Sequence, residues 1–472
     1  MGLFSRLLNR PGAQADKRIG WFDRAQDSVA RRQEEYADSS DEQLTDAAAA
    51  VFESGTREEQ LVRFAALARE VAERALEERP YDTQLRGLIG LLDGTVVQML
   101  TGEGKTLVGA LAAAGYALQG RRVHVVSVND YLAVRDRGWM GPVFDLLGVS
   151  VSAVSGAMSE AERREAYRAE VVYGSVSEIG FDVLRDRFRL PDEEVRVEAR
   201  DVVIVDEADS VLIDEARVPL VLAGSTQKED ADQRVARLVA RLDTAEHIEV
   251  TEDRRAVSLT PAGIDEVEAA LGVDLYGEDT ETLAAVNLAL YARMLVHRDV
   301  DYLVVDGTIK LIDASRGRIA ELQRWPDGLQ AAVEAKERLE TSTSGEILDQ
   351  MTVEELIHSY TRVCGMTGTA LAVGDDLREF YELEIVPVDS HEPVIRIDEE
   401  DRLFTFQESK ERAIVEEVAS AHSSGRPVLV GTRSVAESES LAARLRDRGI
   451  DCEVLNAKDD TREAQIIARA GE

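Results

Sequence analysis

The sequence predicts an α/β protein: a mainly parallel sheet with helices on both faces, and a separate α+β segment inserted into it. Three observations lead there. Between Gly94 and Gly224, short β-branched runs alternate with helical stretches, the pattern of strands joined by crossover helices. A Gly-rich turn, TGEGKT at 101–106, stands between an apolar run and a helical pattern, the setting in which such a loop binds phosphate. An apolar run, VVIVDEAD at 202–209, ends in paired carboxylates, as a core strand does when it delivers acids to the edge of a sheet.

The elements follow in order. The first 32 residues carry seven basic against three acidic side chains, and Leu3, Phe4, Leu7 and Leu8 share one helical face beside Arg6 and Arg10. A basic amphipathic helix of this kind can lie on an anionic membrane surface, or dock on its own domain. Residues 34–79 read as polar helices rich in Ala and Glu, closed by Pro80. The runs GTVVQML, RVHVVSV, GVSVSAVS, EVVYGS, DVVIVD and PLVLAG then read as strands, with helices around 106–118, 130–147, 159–168 and 177–187 between them.

From about Thr226 the rhythm changes to a polar helix, the short strands HIEVTED and AVSLT, a helix after Pro261, and a hairpin, DYLVVDGTIKLIDAS, turning near Asp306–Gly307. Asp-Gly is a strong hairpin turn pair. The α/β character returns with RVCGMTGTA around Val363, and a second α/β unit opens near Pro393 with the strand-like RPVLVGT and IDCEVLNA. The expected segments are therefore 1–79, 80–225, 226–350, 351–392 and 393–472, the last too short for a sheet covered on both faces.

Composition bounds the function. At 472 residues and 44% hydrophobic content, the chain holds two to four compact domains. Its two cysteines, Cys364 and Cys452, make no disulfide framework or four-cysteine zinc site, and this usage fits a reducing compartment. The six histidines lack metal-ligand spacing. No run approaches the ~20 apolar residues of a membrane span. The N-terminal apolar stretch breaks at Pro11, too early for a secretory signal, and Arg6 spoils a myristoylation pattern. A cytoplasmic protein is expected. The net charge of −36 repels phosphate backbones, and aromatics are only 5%, so nucleic acid is not expected as the main partner.

TGEGKT supplies what an ATP phosphate site needs. Gly102 and Gly104 let successive N–H groups face phosphate oxygens at a helix start. Lys105 would reach the β/γ-phosphates, and Thr106 would place its hydroxyl on Mg²⁺. The general G-x-x-x-x-G-K-[ST] pattern is imperfect, because Met99 occupies the first Gly position; TG-x-GKT is the form of helicase-like motors. In the second motif Asp206 would hold Mg²⁺ through water, and Glu207 would orient and deprotonate the attacking water. Alone it would be a solvated acidic turn, but with TGEGKT upstream the catalytic reading dominates. Gln84, 21 residues before Lys105, could read an adenine edge through its amide. GMTGTA at 365–370 could couple the pocket to the next domain through Thr367 and Thr369.

Asp206–Asp209 spells DEAD and so suggests an RNA helicase, but its partner turn, TGT at Thr367, comes 158 residues after Asp209, where that family needs a few tens. A longer series of motifs resembles the SecA family, the motor ATPases that drive unfolded secretory proteins through the SecY channel. The series is DTQLRG (82–87), TGEGKTL (101–107), VHVVSVNDYLAVRD (123–136), GFDVLRD (180–186), VDEADSVLIDEARVPL (205–220), DVDYLVVDG (299–307), RWPDGLQAAVEAKE (324–337), GMTGTA (365–370), PVLVGTRSVAESE (427–439) and VLNAK (454–458).

The resemblance implies a RecA-like, helicase superfamily 2-type nucleotide-binding domain, an inserted preprotein-crosslinking domain at 226–350 and an incomplete second RecA-like domain at 393–472. It implies ATP and Mg²⁺ held by Gln84 and by Thr101, Gly102, Glu103, Gly104, Lys105 and Thr106, with Asp206 and Glu207 managing metal and water. Its expected partners are unfolded preproteins, the SecY channel complex and the anionic inner face of the cell membrane, where the protein would sit peripherally; a homodimer is compatible with it. Two departures, Leu100 where the family carries Arg and Ser315-Arg316-Gly317-Arg318 where it carries Thr-Gly-Arg, suggest an accessory paralogue. The family's Gly-Arg-Gly-Thr-Asp segment lies outside these residues, and a missing arginine contact is worth roughly 10³–10⁵ in turnover. The chain by itself is thus expected to be nearly inactive, and a non-catalytic polypeptide-binding regulator is the remaining alternative.

Overall fold

The computed structural model describes residues 12–188, 195–225, 230–251, 256–276, 280–305, 307–313, 318–320, 325, 329–339, 345–455, 466 and 469–471. The basic face formed by Leu3 to Arg10, the Ser315–Gly317 part of the departure above and residues 456–458 of VLNAK lie outside them.

The chain opens with helices α1 (Ala13–Ile19), α2 (Gln26–Ala37), α3 (Asp41–Ala50) and α4 (Arg57–Leu76). Two of them start on full capping boxes, Ser40 with Gln43 and Thr56 with Glu59, which satisfy N–H groups that the first helical turn would leave unpaired. Next come α5 (Asp82–Leu92), β1 (Val96–Gln98), α6 (Lys105–Ala117), β2 (Val123–Ser127), α7 (Asp130–Leu146), β3 (Val151–Ala153), α8 (Glu160–Ala166), β4 (Val171–Ser175), α9 (Val176–Arg187), β5 (Val202–Asp206) and β6 (Pro219–Ser225). The middle of the chain holds α10 (Asp230–Val239), β7 (Ile248–Val250), β8 (Val257–Leu259), α11 (Pro261–Leu271), α12 (Thr280–Met294), β9 (Tyr302–Val305), β10 (Thr308–Asp313), β11 (Arg318–Ala320), α13 (Leu329–Lys336) and β12 (Gly345–Thr352). Last are α14 (Val353–His358), β13 (Arg362–Thr367), α15 (Gly374–Tyr381), β14 (Ile385–Pro387), α16 (Gln407–Ser423) and α17 (Val435–Asp447).

Contacts divide the chain into two units, Met1–Leu222 with Leu348–Ile397, and Ala223–Ile347 with Asp398–Glu472. The first is built on a seven-stranded sheet in the order β14-β1-β13-β5-β2-β4-β3, parallel throughout. Both faces are covered, as a parallel sheet requires. Along β5, Val202 and Ile204 face one apolar cluster with Leu67, Leu88, Leu111 and Phe144. Val203 and Val205 face the other, with Ile179, Leu184, Leu356 and Leu377. Gly109 sets how closely α6 approaches the sheet, because a Cβ there would stand 2.4 Å from the Met366 methyl.

In the second unit, Val239, Val267, Val286 and Leu290 are fully buried in one cluster. β9, β10 and β11 form an antiparallel sheet. Its hairpin pairs Val305 with Thr308 across Gly307, whose φ of +75° suits the turn that Asp306–Gly307 announces. β7 and β8 pair antiparallel, and α11 begins on a Thr260 cap with Pro261 at its first turn. Between 398 and 455, the described residues form α16 and α17 and no strand. RPVLVGT and the described part of IDCEVLNA, expected as strands, pair with no strand among the described residues, and Leu429 is 84% exposed. A strand is stable only when its backbone groups find a neighbour.

One ion cluster stands out on the second face of the sheet. Arg163 of α8 pairs with Glu178 and, at 2.8 Å, with Asp182 of α9, all three buried. Tyr167 also donates its hydroxyl to Asp182 at 3.1 Å. Removing the cation leaves the buried Glu178 without its ion-pair partner, while Asp182 keeps Arg185 at 2.8 Å. Arg163→Met is expected to cost about 3–5 kcal/mol, read as a lower denaturant midpoint with an unchanged slope.

Candidate functional site

The site starts from strand register. In the parallel array β1, β13 and β5, Gln98 lies opposite Thr367 and Met366 opposite Asp206. All three strands therefore finish at one level, about 5 Å apart from neighbour to neighbour. TGEGKT follows β1, GMTGTA runs off β13, and Asp206 and Glu207 close β5, so the three motifs occupy one edge of the sheet. The loop is tied across the gap by the Met99 N–H, which donates to the Thr367 carbonyl at 3.0 Å. This is the carboxyl edge, where open α/β sheets bind their ligands.

Within the loop, Gly102 and Gly104 adopt φ of +88° and +82°, a left-handed backbone that other residues take at a cost. Gly104 is the N-cap of α6 and offers that helix no side-chain cap. The first-turn N–H groups of a buried, apolar helix thus have no protein side chain to answer them, which suits an oxyanion. No atom lies within 4 Å of a Cβ built on Gly102, so the space in front of the loop is open. Lys105 and Thr106 are the first two residues of α6.

Gln84 braces the loop from α5. Its Oε1 accepts the Tyr81 N–H at 2.8 Å and its Nε2 donates to the Glu103 carbonyl at 3.0 Å. A Cβ on Gly104 would come within 2.3 Å of that Nε2, so a larger residue there would displace the bracing amide besides opposing the φ. Each end of the amide retains one further bonding capacity, although the residue is only 9% exposed. Glu103 turns the other way, its Oε2 accepting the His391 N–H at 3.1 Å, and the His391 ring stacks on Tyr81 with centroids 3.6 Å apart.

The acidic motif has two distinct halves. Asp206, mostly buried and beside Glu207 and Asp136, has its carboxyl pushed up to about 6; Lys105 and the Glu207 N–H pull it down, but less. Glu207 is held at φ +52°, an uncommon conformation for a side chain of this size. Asp209 instead is clamped: Thr367 donates to it at 2.7 Å and Thr369 donates to its second oxygen. Burial works against ionisation there, but the two hydroxyls hold its carboxyl below the usual range. Thr367 and Thr369 thus join GMTGTA to the DEAD stretch.

Sequence reasoning missed Asp136, buried on α7 and paired with Arg135 at 2.6 Å, whose charge reaches Asp206. Its position in an otherwise mixed helix carries no signal of that. Tyr81 and His391 were missed because their contact spans the whole inserted segment. Cys364 is buried and Cys452 half-buried, both as free thiols. Among the described residues no group of His, Cys, Asp and Glu has the arrangement of a metal cluster, and no helix is long and apolar enough to cross a membrane.

The two adjacent carboxylates, one of them destabilised as an anion, fit a cation that the phosphate site would share. Without one, ionising Asp206 costs stability as pH rises from the unfolded carboxylate range through about 6. Asp206→Asn is therefore expected to stabilise the nucleotide-free chain by about 1–3 kcal/mol above that pH and by nothing below about pH 4. Thermal unfolding of both chains at the two pH values checks it.

Comparison with known proteins agrees with this arrangement. The family model for the SecA DEAD-like domain matches residues 7–378, and that for the SecA P-loop domain matches 393–472. The chain is 54% identical to protein translocase subunit SecA 2 of Thermobifida fusca, over 99% of this chain and 61% of that one. It is 53% identical to protein translocase subunit SecA of Mycobacterium avium, over 93% and 57%. It is 52% identical to protein translocase subunit SecA 2 of Mycolicibacterium smegmatis, over 92% and 56%. The chain thus spans about three-fifths of the length of these relatives. With both domain models matched in order along nearly its whole length, the chain belongs to the SecA family.

Proposed function

We propose that this protein is the nucleotide-handling part of an ATP-driven motor that moves unfolded preproteins through the SecY channel. The observation that carries the proposal is the convergence of TGEGKT, Asp206–Glu207 and the Thr367–Thr369 turn on one edge of the sheet, in a chain of the SecA family. The β- and γ-phosphates of ATP rest against the N–H groups of Gly102 to Thr106, with the Lys105 ammonium beside them. Gln84 meets adenine with its remaining lone pair and N–H while still bracing the loop. Thr106 and Asp206 hold Mg²⁺, which neutralises phosphate charge when bound. Glu207 orients the attacking water and takes its proton.

Segments 226–350 and 393–472 act in this reading as the preprotein-crosslinking domain and as part of a second RecA-like domain, and 1–79, 80–225 and 351–392 as the helical lead-in and the two parts of the first. The protein works in the cytoplasm and on the inner membrane face, with the basic N-terminal segment as its lipid contact. Leu100 in place of Arg before the loop supports an accessory role with a narrower set of clients.

Two experiments test this. Lys105→Ala is expected to weaken binding of a fluorescent ATP analogue in Mg²⁺ by at least about tenfold. Glu207→Gln should keep binding within a few-fold and remove residual turnover by about 10²–10⁴; a Glu207→Gln chain that hydrolyses at the parent rate contradicts the base assignment. In a paired anisotropy titration at physiological salt, an unfolded secretory polypeptide should bind in preference to single-stranded RNA. Preference for RNA would assign the DEAD stretch to a helicase instead.

A further inference from the structure

At the opposite edge of the same sheet, where the strands begin, lies a cavity of about 340 Å³. This is near the lower end of the range for small-molecule sites, roughly 300–1,000 Å³. It is separated from the nucleotide edge by the length of the strands, about 15 Å. Three guanidinium groups line it, from Arg57 at the start of α4, Arg121 in the turn before β2, and Arg362 at the start of β13. In a chain of net charge −36, such a grouping is unexpected.

The bonding of these groups makes the cavity cationic. Two carboxylates also line it, but both are engaged elsewhere: Asp93 pairs with Arg18, and Asp201 accepts the Arg122 N–H at 3.0 Å. None of the three arginines makes an ion pair with a described carboxylate. Arg57 donates only to neutral acceptors, the Gln119 side chain at 2.9 Å and the Leu92 carbonyl at 3.1 Å. Arg362 packs its Nη1 over Gly94, 3.1 Å from where a Cβ would stand, so a backbone of φ +80° keeps that guanidinium at the cavity. Partial burial lowers the pKa of Arg57, and the charge of Arg362 lowers it further against the opposing effects of Tyr116 and Asp93. The charges of Arg57 and Arg362 are thus close enough to feel one another.

We propose that this cavity is a second anion site, distinct from the nucleotide loop, which binds a compact phosphate-bearing ligand through Arg57, Arg121 and Arg362. Guanidinium forks match phosphate oxygens two at a time, and three of them around one cavity suit a group of pyrophosphate size. The ligand's phosphate is either free in solution or the headgroup of an anionic lipid. The site stands on its own geometry and does not depend on the motor reading.

The test uses the full chain carrying Lys105→Ala, which removes the nucleotide loop as a competing phosphate site. Pyrophosphate is titrated by calorimetry, and binding to phosphatidylglycerol vesicles is followed by flotation, with phosphatidylcholine vesicles as control. Arg362→Gln and Arg121→Gln, the latter at an exposed position, are then added singly, each checked for an unchanged melting temperature without ligand. At least a tenfold loss of pyrophosphate affinity on both substitutions supports the site and assigns it a soluble ligand. The same loss for phosphatidylglycerol vesicles alone supports it with a lipid headgroup. No binding of either probe, or binding that both substitutions leave unchanged, overturns it.

Discussion

The rest of the structure depends on the parallel register of β1, β13 and β5. Strand β13 enters the sheet between β1 and β5 although it follows them by some 160 residues or more in sequence. Its insertion brings three short motifs to one edge, and each is then fixed by what its neighbour offers: Met99 donates to Thr367, and Thr367 and Thr369 donate to Asp209. Without the middle strand, the loop after β1 and the acids after β5 would belong to different parts of the surface. The close approach of Gly109 to Met366 serves the same end, since it lets α6, whose first turn carries Lys105 and Thr106, press directly on β13.

The strands and helices of the first unit were legible in the sequence because each is buried on a regular period. VVIVD is apolar on both faces, as a central parallel strand must be, and Ser40–Gln43 and Thr56–Glu59 announce their helices before any tertiary contact exists. The phosphate loop and the acidic pair were legible for a related reason: their chemistry demands particular residues at fixed short spacing. What could not be read is whatever depends on pairing at a distance. Asp136 looks like an ordinary helix acid until α7 folds it into the sheet. The stacking of Tyr81 on His391 joins residues with no pattern in common. RPVLVGT and IDCEVLNA show the opposite failure, since local pattern promised strands that need neighbours which the described residues do not supply.

Glu207 carries two demands that pull apart. Its position at the end of β5 asks for a backbone with φ of +52°, which glycine or asparagine would adopt at lower cost. Its role asks for a carboxylate. Keeping the carboxylate means the surrounding sheet holds a strained residue in place, so local stability and chemistry are traded at a single position.

The glutamate of the phosphate loop has a mechanical consequence. Glu103 holds the backbone of His391, whose ring lies flat on Tyr81, and Tyr81 in turn is bonded to the glutamine that braces the loop. The circuit is closed: loop, brace, aromatic pair and the stretch of chain leaving β14 form one ring of contacts. A displacement of the loop is therefore felt as slack or tension where the chain departs from the sheet. The phosphate loop and the stretch around His391 thus share one set of contacts, and neither shifts without breaking some of them.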